Sequence, residues 1–375
     1  MNNLTSQIIF PSMIMAGIAG NFAKLFSLNL EPPAHFFYIA FLTCLGSILA
    51  DKITLKTEIS PQPRLYTLLL GESADDRKST ALKKTVEVFD ESFGNFNSCW
   101  GVGSAEGLAL LLKKTPILLL CLDEFRQFVS KCKIESSVLL PCATTLFESN
   151  QYQSETKKSS ININPGYLSI LAASTIETYQ QIIDSAFIAI GFPNRVFLVP
   201  GNAERRFSIP KSIPEEAKRA IKDELLTIVG IASEEKLELE ITSRGQDLYH
   251  KWYMGLEKSI HAKRLDVYAL RYMSLLSINE MKFKVDEDIV MKVIQLMDWQ
   301  LQIRKLYDPI DSDTKIANIE ERIRRALQTG PKSERDLKRT INASRSGVWI
   351  YEQARNNLRR AKEIEFHEEK WNILE

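Results

Sequence analysis

The chain has 375 residues, enough for two or three domains with cores of their own. Hydrophobic residues make up 45% and charged residues 25%, ordinary for a soluble globular protein. The formal net charge is +1, which excludes a global basic field, so any nucleic-acid surface must be local.

The five cysteines (Cys44, Cys99, Cys121, Cys132, Cys142) are odd in number and scattered, with no CxxC pair. This suits a reducing, cytoplasmic setting and argues against a disulfide framework or a structural zinc. The opening MNNLTSQIIF has no basic run, so no signal peptide is expected. FFYIAFLTCLGSILA is the most apolar stretch, but it is shorter than the ~20 residues that span a bilayer. A buried helix is expected there, and no membrane partner.

In chain order, residues 1–60 read as a helical segment. Apolar spacing near 3.6 runs through IIFPSMIMAGIAGNFAKLF, and Pro33 stands at a helix start. The pattern changes over 61–205. LYTLLL, TPILLLCLDEF, GYLSILAAST and RVFLVPG are short apolar runs separated by helical segments. That alternation predicts an α/β fold, a parallel sheet covered by helices on both faces. Residues 206–310 read as a helical lid, in which KLELEIT could be a strand and the aromatics of HKWYM look like helix core. Over 316–375, helix, helix, turn, helix and alternating hairpin follow the plan of a winged helix-turn-helix.

The chemistry gathers around GESADDRKST, residues 71–80, between the strand LYTLLL and a helix. A phosphate-binding loop reads GxxxxGK[ST]: main-chain N–H groups wrap the phosphates, the lysine reaches them and the hydroxyl binds Mg²⁺. Lys78 and Ser79 fill the last two positions. Gly71 stands one residue too early for the first glycine, and Arg77 replaces the second. The acidic side chains of the loop can splay outward to water while the main chain forms the cradle. Gly71, Ser73, Arg77, Lys78, Ser79 and Thr80 are the expected nucleotide-binding residues. A polar strand-to-helix turn with a chance KST is the alternative.

ILLLCLDE ends a second apolar run in Asp123 and Glu124. Asp123 is expected to join Ser79 in the Mg²⁺ shell and Glu124 to polarise the attacking water, unless Glu124 caps the following helix. Ser174 and Thr175 end the third run, where they could touch the γ-phosphate or the lytic water or serve as a helix N-cap. Arg195 precedes the fourth run and could reach a nucleotide on a neighbouring subunit or form a surface salt bridge.

These segments, in order, resemble a family of P-loop ATPases carried by phages, plasmids and other mobile elements: primase–helicase-like motors of the AAA+ and RecA-like classes. The similarity covers about residues 30–305. The resemblance implies a DNA-dependent ATPase using ATP and Mg²⁺ at the interfaces of a homo-oligomer, for which a ring is one arrangement, with replication or mobile-element partner proteins. It also suggests Arg271 as a second nucleotide sensor. The acidic, glycine-poor loop departs from the family pattern and keeps open a second function, a non-catalytic or ATP-switched DNA-binding adaptor. In the C-terminal unit Arg345, Ser346, Arg355, Arg359 and Arg360 are the expected DNA contacts, with protein docking as the alternative. The four histidines lie far apart, and no GxSxG or Cys/His arrangement is present.

Overall fold

A helix that is apolar on every side has no face to give to water and must be buried on all of them. Ala34–Ile48 is such a helix, with Phe36 through Ser47 entirely buried. It follows Pro33, which cannot donate a main-chain hydrogen bond and suits a helix start. It packs between Gly17–Asn29, the loop helix Lys78–Phe93 and the central sheet.

In a computed structural model of the chain, the described residues are 8–72, 76–155, 160–201, 205–308, 315–341 and 343–374. Contacts divide the chain into two units, Phe10–Tyr307 and one built on Asp308–Glu375. No described helix is long and apolar enough to cross a membrane.

The larger unit is α/β. Its central sheet has five parallel strands, here numbered in chain order: β1 (Tyr66–Gly71), β2 (Ser98–Cys99), β3 (Ile117–Leu122), β4 (Tyr167–Thr175) and β5 (Phe197–Pro200). The spatial order is β2-β3-β4-β1-β5, so β4 lies between β1 and β3. Four strands are the four apolar runs of the sequence, buried because helices cover both faces. The two-residue β2 is too short to carry a pattern. The fold is compatible with that of P-loop proteins.

Three buried arginines fix the end of the sheet where the strands begin. Arg64 donates to the carbonyls of Gly166 and Ser149, and Arg304 to those of Asn194, Val196, His261 and Lys263. Arg271 donates to the carbonyls of Arg64 and Phe147 and lies over the Phe147 ring. A guanidinium can serve several carbonyls at once, which offsets much of the cost of burying its charge, although the Nε of Arg64 and of Arg271 has no partner among the described residues.

KLELEIT does form a strand, Leu237–Ile241, paired in parallel with Ile53–Leu55 and Lys284–Val285. HKWYM corrects the reading as helix core. Tyr253 is 49% and Met254 69% exposed, and the Trp252 indole N–H reaches Asp298 at 2.8 Å.

The smaller unit runs in the order helix (Lys315–Gln328), short strand (Lys332–Ser333), helix (Glu334–Thr340), short helix (Ala343–Ser346), helix (Val348–Arg360) and hairpin (Ile364–His367 with Lys370–Ile373). Its core is its own, built on Ile319, Ile323, Leu327, Leu337, Tyr351 and Leu358.

Candidate phosphate-loop site

The site sits where the strands end. β1 finishes at Gly71, and the chain enters the loop helix at Lys78. Arg77, just before that helix, has φ 50° and ψ 33°. It therefore adopts the left-handed turn that the missing glycine would have supplied, at a cost of roughly 1–2 kcal/mol for a side-chain-bearing residue. Its guanidinium is tied to Glu31 at 2.9 Å. That contact draws the Glu31 carboxyl below its usual range.

Lys78 turns its ammonium back onto the loop and donates to the Glu72 carbonyl at 2.7 Å. Thr80 donates its N–H to the Arg77 carbonyl, inside the first helical turn. Ser73 and Asp75 lie outside the described residues.

Asp76 corrects the expectation that the acidic side chains splay to water. It is 3% exposed, and its Oδ2 accepts the Glu72 N–H at 2.6 Å. A Cβ placed on Gly71 would meet that same oxygen at 2.4 Å, so the close approach requires glycine there. The carboxylate has folded into the loop because a main-chain N–H and a bare Cα leave room for it.

Asp123 follows β3 directly. Leu122 pairs with Ala172 on β4, and Gly71 pairs with Thr175 on its other side. The loop and the acidic strand end therefore flank the end of β4. Lys83, one turn further along the loop helix, pairs with the Asp123 Oδ2 at 2.7 Å, and the Ser79 side chain lies near the same carboxylate. Burial pushes the Asp123 carboxyl up, but Lys83 and Ser79 beside it outweigh that and hold it below the usual value. Its Oδ1 is buried with no hydrogen-bond partner among the described residues. An orphaned carboxylate oxygen beside a serine hydroxyl fits a Mg²⁺ ion, which takes oxygen ligands. Ser79 and Asp123 would hold it.

Glu124 is exposed and makes no side-chain capping bond to the helix it precedes, Phe125–Cys132. The capping alternative is not what its side chain does. Thr175 is different. Its hydroxyl accepts the Thr178 N–H at 3.0 Å and donates to the Thr178 hydroxyl, so the N-cap reading holds. The Ser174 hydroxyl is nearly buried and donates to the Thr175 carbonyl at 3.1 Å.

Two arginines stand away from the loop. Arg271 is 3% exposed and points into the core at the opposite end of the sheet, which removes it as a nucleotide sensor. Burial pulls its pKa down. Arg195 precedes β5, and Thr67 pairs with Phe197, so Arg195 falls level with Leu65. At ~3.3 Å per residue that is about 20 Å below Gly71, out of reach of a nucleotide on its own chain. There it shares the Glu148 carboxylate with Arg264, at 3.3 and 2.7 Å. No motif in the sequence singles out Glu148, Arg264, Lys83 or the buried Arg304. The spacing of Lys83 from Ser79, one helical turn, was the available signal for that residue.

In the smaller unit, Arg355 is corrected as well. It pairs with Glu334 at 2.6 Å and lies over the rings of Tyr351 and Trp371. It holds the unit together and does not project. Arg359 and Arg360 are exposed at the end of the same helix, and Trp349 at its start is 65% exposed. The side chains of Arg345 and Ser346 lie outside the described residues.

No protein-family model and no curated protein matches this sequence. What the site can do is read from its own chemistry.

Proposed function

We propose that the chain is a P-loop ATPase of the AAA+/RecA-like type with a C-terminal winged helix, hydrolysing Mg-ATP to move or remodel DNA, as a helicase-type motor of a mobile element does. The observation that carries this reading is the meeting of Ser79 and Asp123. These residues come from distant parts of the chain, and each was expected on separate grounds to hold the same metal ion.

The roles follow from position. Lys78 leaves the Glu72 carbonyl to bind phosphate oxygens. The main-chain N–H groups at the start of the loop helix face the same anion. The metal ion, when bound, neutralises phosphate charge. Glu124, exposed at the strand end, takes the proton of the attacking water. Ser174 stands on the strand between the loop and Asp123 and orients that water or the γ-phosphate. Arg195, too far from its own loop and held by Glu148 and the Ile190 and Gly191 carbonyls, must leave those partners to act on the nucleotide of a neighbouring copy. This makes the working form a homo-oligomer, with a ring as the simplest closed arrangement.

In the smaller unit the order of elements, with the first short strand joining the hairpin, supports a winged helix-turn-helix. Arg359 and Arg360 neutralise DNA phosphates there, and Trp349 adds an apolar contact. Five cysteines, all of them free, fit a reducing cytoplasm. Replication or mobile-element proteins are the partners such a motor would need.

The ATP-switched adaptor remains a second reading because one observation favours it: Asp76 places a carboxylate inside the loop. ATP hydrolysis by the purified protein, with and without single- or double-stranded DNA, separates the two. DNA-stimulated turnover that disappears in Lys78→Ala is expected. DNA binding without turnover would make the adaptor the better account.

A further inference from the structure

Two ion contacts at the loop share a logic. A carboxylate oxygen of Asp76 accepts a loop N–H, the pairing that a phosphate oxygen would make. The ammonium of Lys83 sits on the Asp123 carboxylate beside Ser79, the pairing that a divalent cation would make. Both main-chain polar groups of Glu72 are engaged, its N–H by Asp76 and its carbonyl by Lys78.

We propose that the site is self-occupied. Asp76 stands in for the phosphate and Lys83 for the metal, so Mg-nucleotide enters only by displacing both. This deepens the nucleotide reading above and rests on it. The two stand-ins differ in strength. Lys83 is more than half exposed, so water and salt screen its pairing and a divalent ion displaces it readily. Asp76 is buried and anionic, so an arriving phosphate meets a like charge in a partly desolvated loop. Asp76 is the stronger lock and Lys83 the weaker.

The site then has two states, one held by Asp76 and Lys83 and one held by Mg-ATP.

The test is equilibrium binding of ATP to the full-length protein over a Mg²⁺ titration. Wild type is compared with Asp76→Asn, which keeps an acceptor for the Glu72 N–H and removes the charge, and with Lys83→Met on the surface. Thermal melting without ligand checks that each is folded. Asp76→Asn should bind ATP at least ~10-fold more tightly than wild type. Lys83→Met should reach half-saturation at roughly 3- to 5-fold lower Mg²⁺, from loss of one screened ion pair. Wild-type affinity and Mg²⁺ dependence in both folded variants, or weaker binding in either, would overturn the self-occupied site while leaving the ATPase reading intact. No binding by wild type or either variant would overturn both.

Discussion

At the scale of single residues, Arg77 shows how a loop can lose a glycine and keep its path. Its left-handed backbone does what glycine would do, while its side chain gains an ion pair with Glu31. Arg77→Gly should therefore fold as well as wild type, within about 1 kcal/mol, because relief of backbone strain offsets the lost pair. Arg77→Val should be less stable by about 2 kcal/mol, since a β-branched residue resists positive φ. Denaturant unfolding of both variants checks this, and equal stability would show that the backbone relaxes. Lys78, Ser79 and Asp123 were legible in the sequence because strand, loop and helix lie next to one another along the chain. The direction of Asp76 was not. A side chain in a tight loop turns to whatever neighbour the fold supplies, here the Glu72 N–H and the bare Cα of Gly71.

At the scale of elements, the sheet is organised by what is buried beneath and around it. The helix Ala34–Ile48 was readable from its unbroken apolarity. Its closest approach was not, because Gly46 carries no signal of the Pro63 carbonyl lying 2.2 Å from where a Cβ would be. Gly46→Ala should cost about 2 kcal/mol by forcing helix and chain apart. A melting temperature equal to wild type would show that the contact yields. Arg271 illustrates a different blindness. Arginine in a helix reads as exposed or functional, yet this one joins the carbonyls of Arg64 and Phe147. Arg271→Leu leaves two buried acceptors unpaired and should lose about 3 kcal/mol of stability without acting through the nucleotide. Urea unfolding measures the loss, and unchanged stability with impaired ATP binding would restore Arg271 as a sensor. Polar and apolar residues mix along Ser243–Gly255, so periodicity alone does not decide whether Tyr253 faces the core or water.

At the scale of the whole molecule, the sheet order brings the loop and the acidic strand end to either side of β4, and the chain divides at Tyr307. The α/β class was legible because parallel strands buried on both faces read as unbroken apolar runs. The strand order was not, since it depends on pairings between residues far apart. The smaller unit has its own core, and a half-buried carboxylate, Glu334, pairs with Arg355 and Lys338 beside it. Burial pushes that carboxyl up, but the Trp371 N–H, Arg355 and Lys338 hold it below its ordinary value of 4.5. A depressed carboxyl stabilises the fold above its ordinary pKa, and the contribution is lost as pH falls through the lowered one. The unit should therefore melt earlier below about pH 4.5, and Glu334→Gln should flatten that dependence. An unaltered acid profile in the variant would assign the transition to other groups. The account depends most on the loop being a nucleotide site, and calorimetric titration of Mg-ATP into wild type, Lys78→Ala and Ser79→Ala tests that directly. Saturable one-to-one binding by wild type, lost in Lys78→Ala and made insensitive to Mg²⁺ in Ser79→Ala, is the predicted result. Binding unaffected by either substitution, or none by wild type, would contradict it.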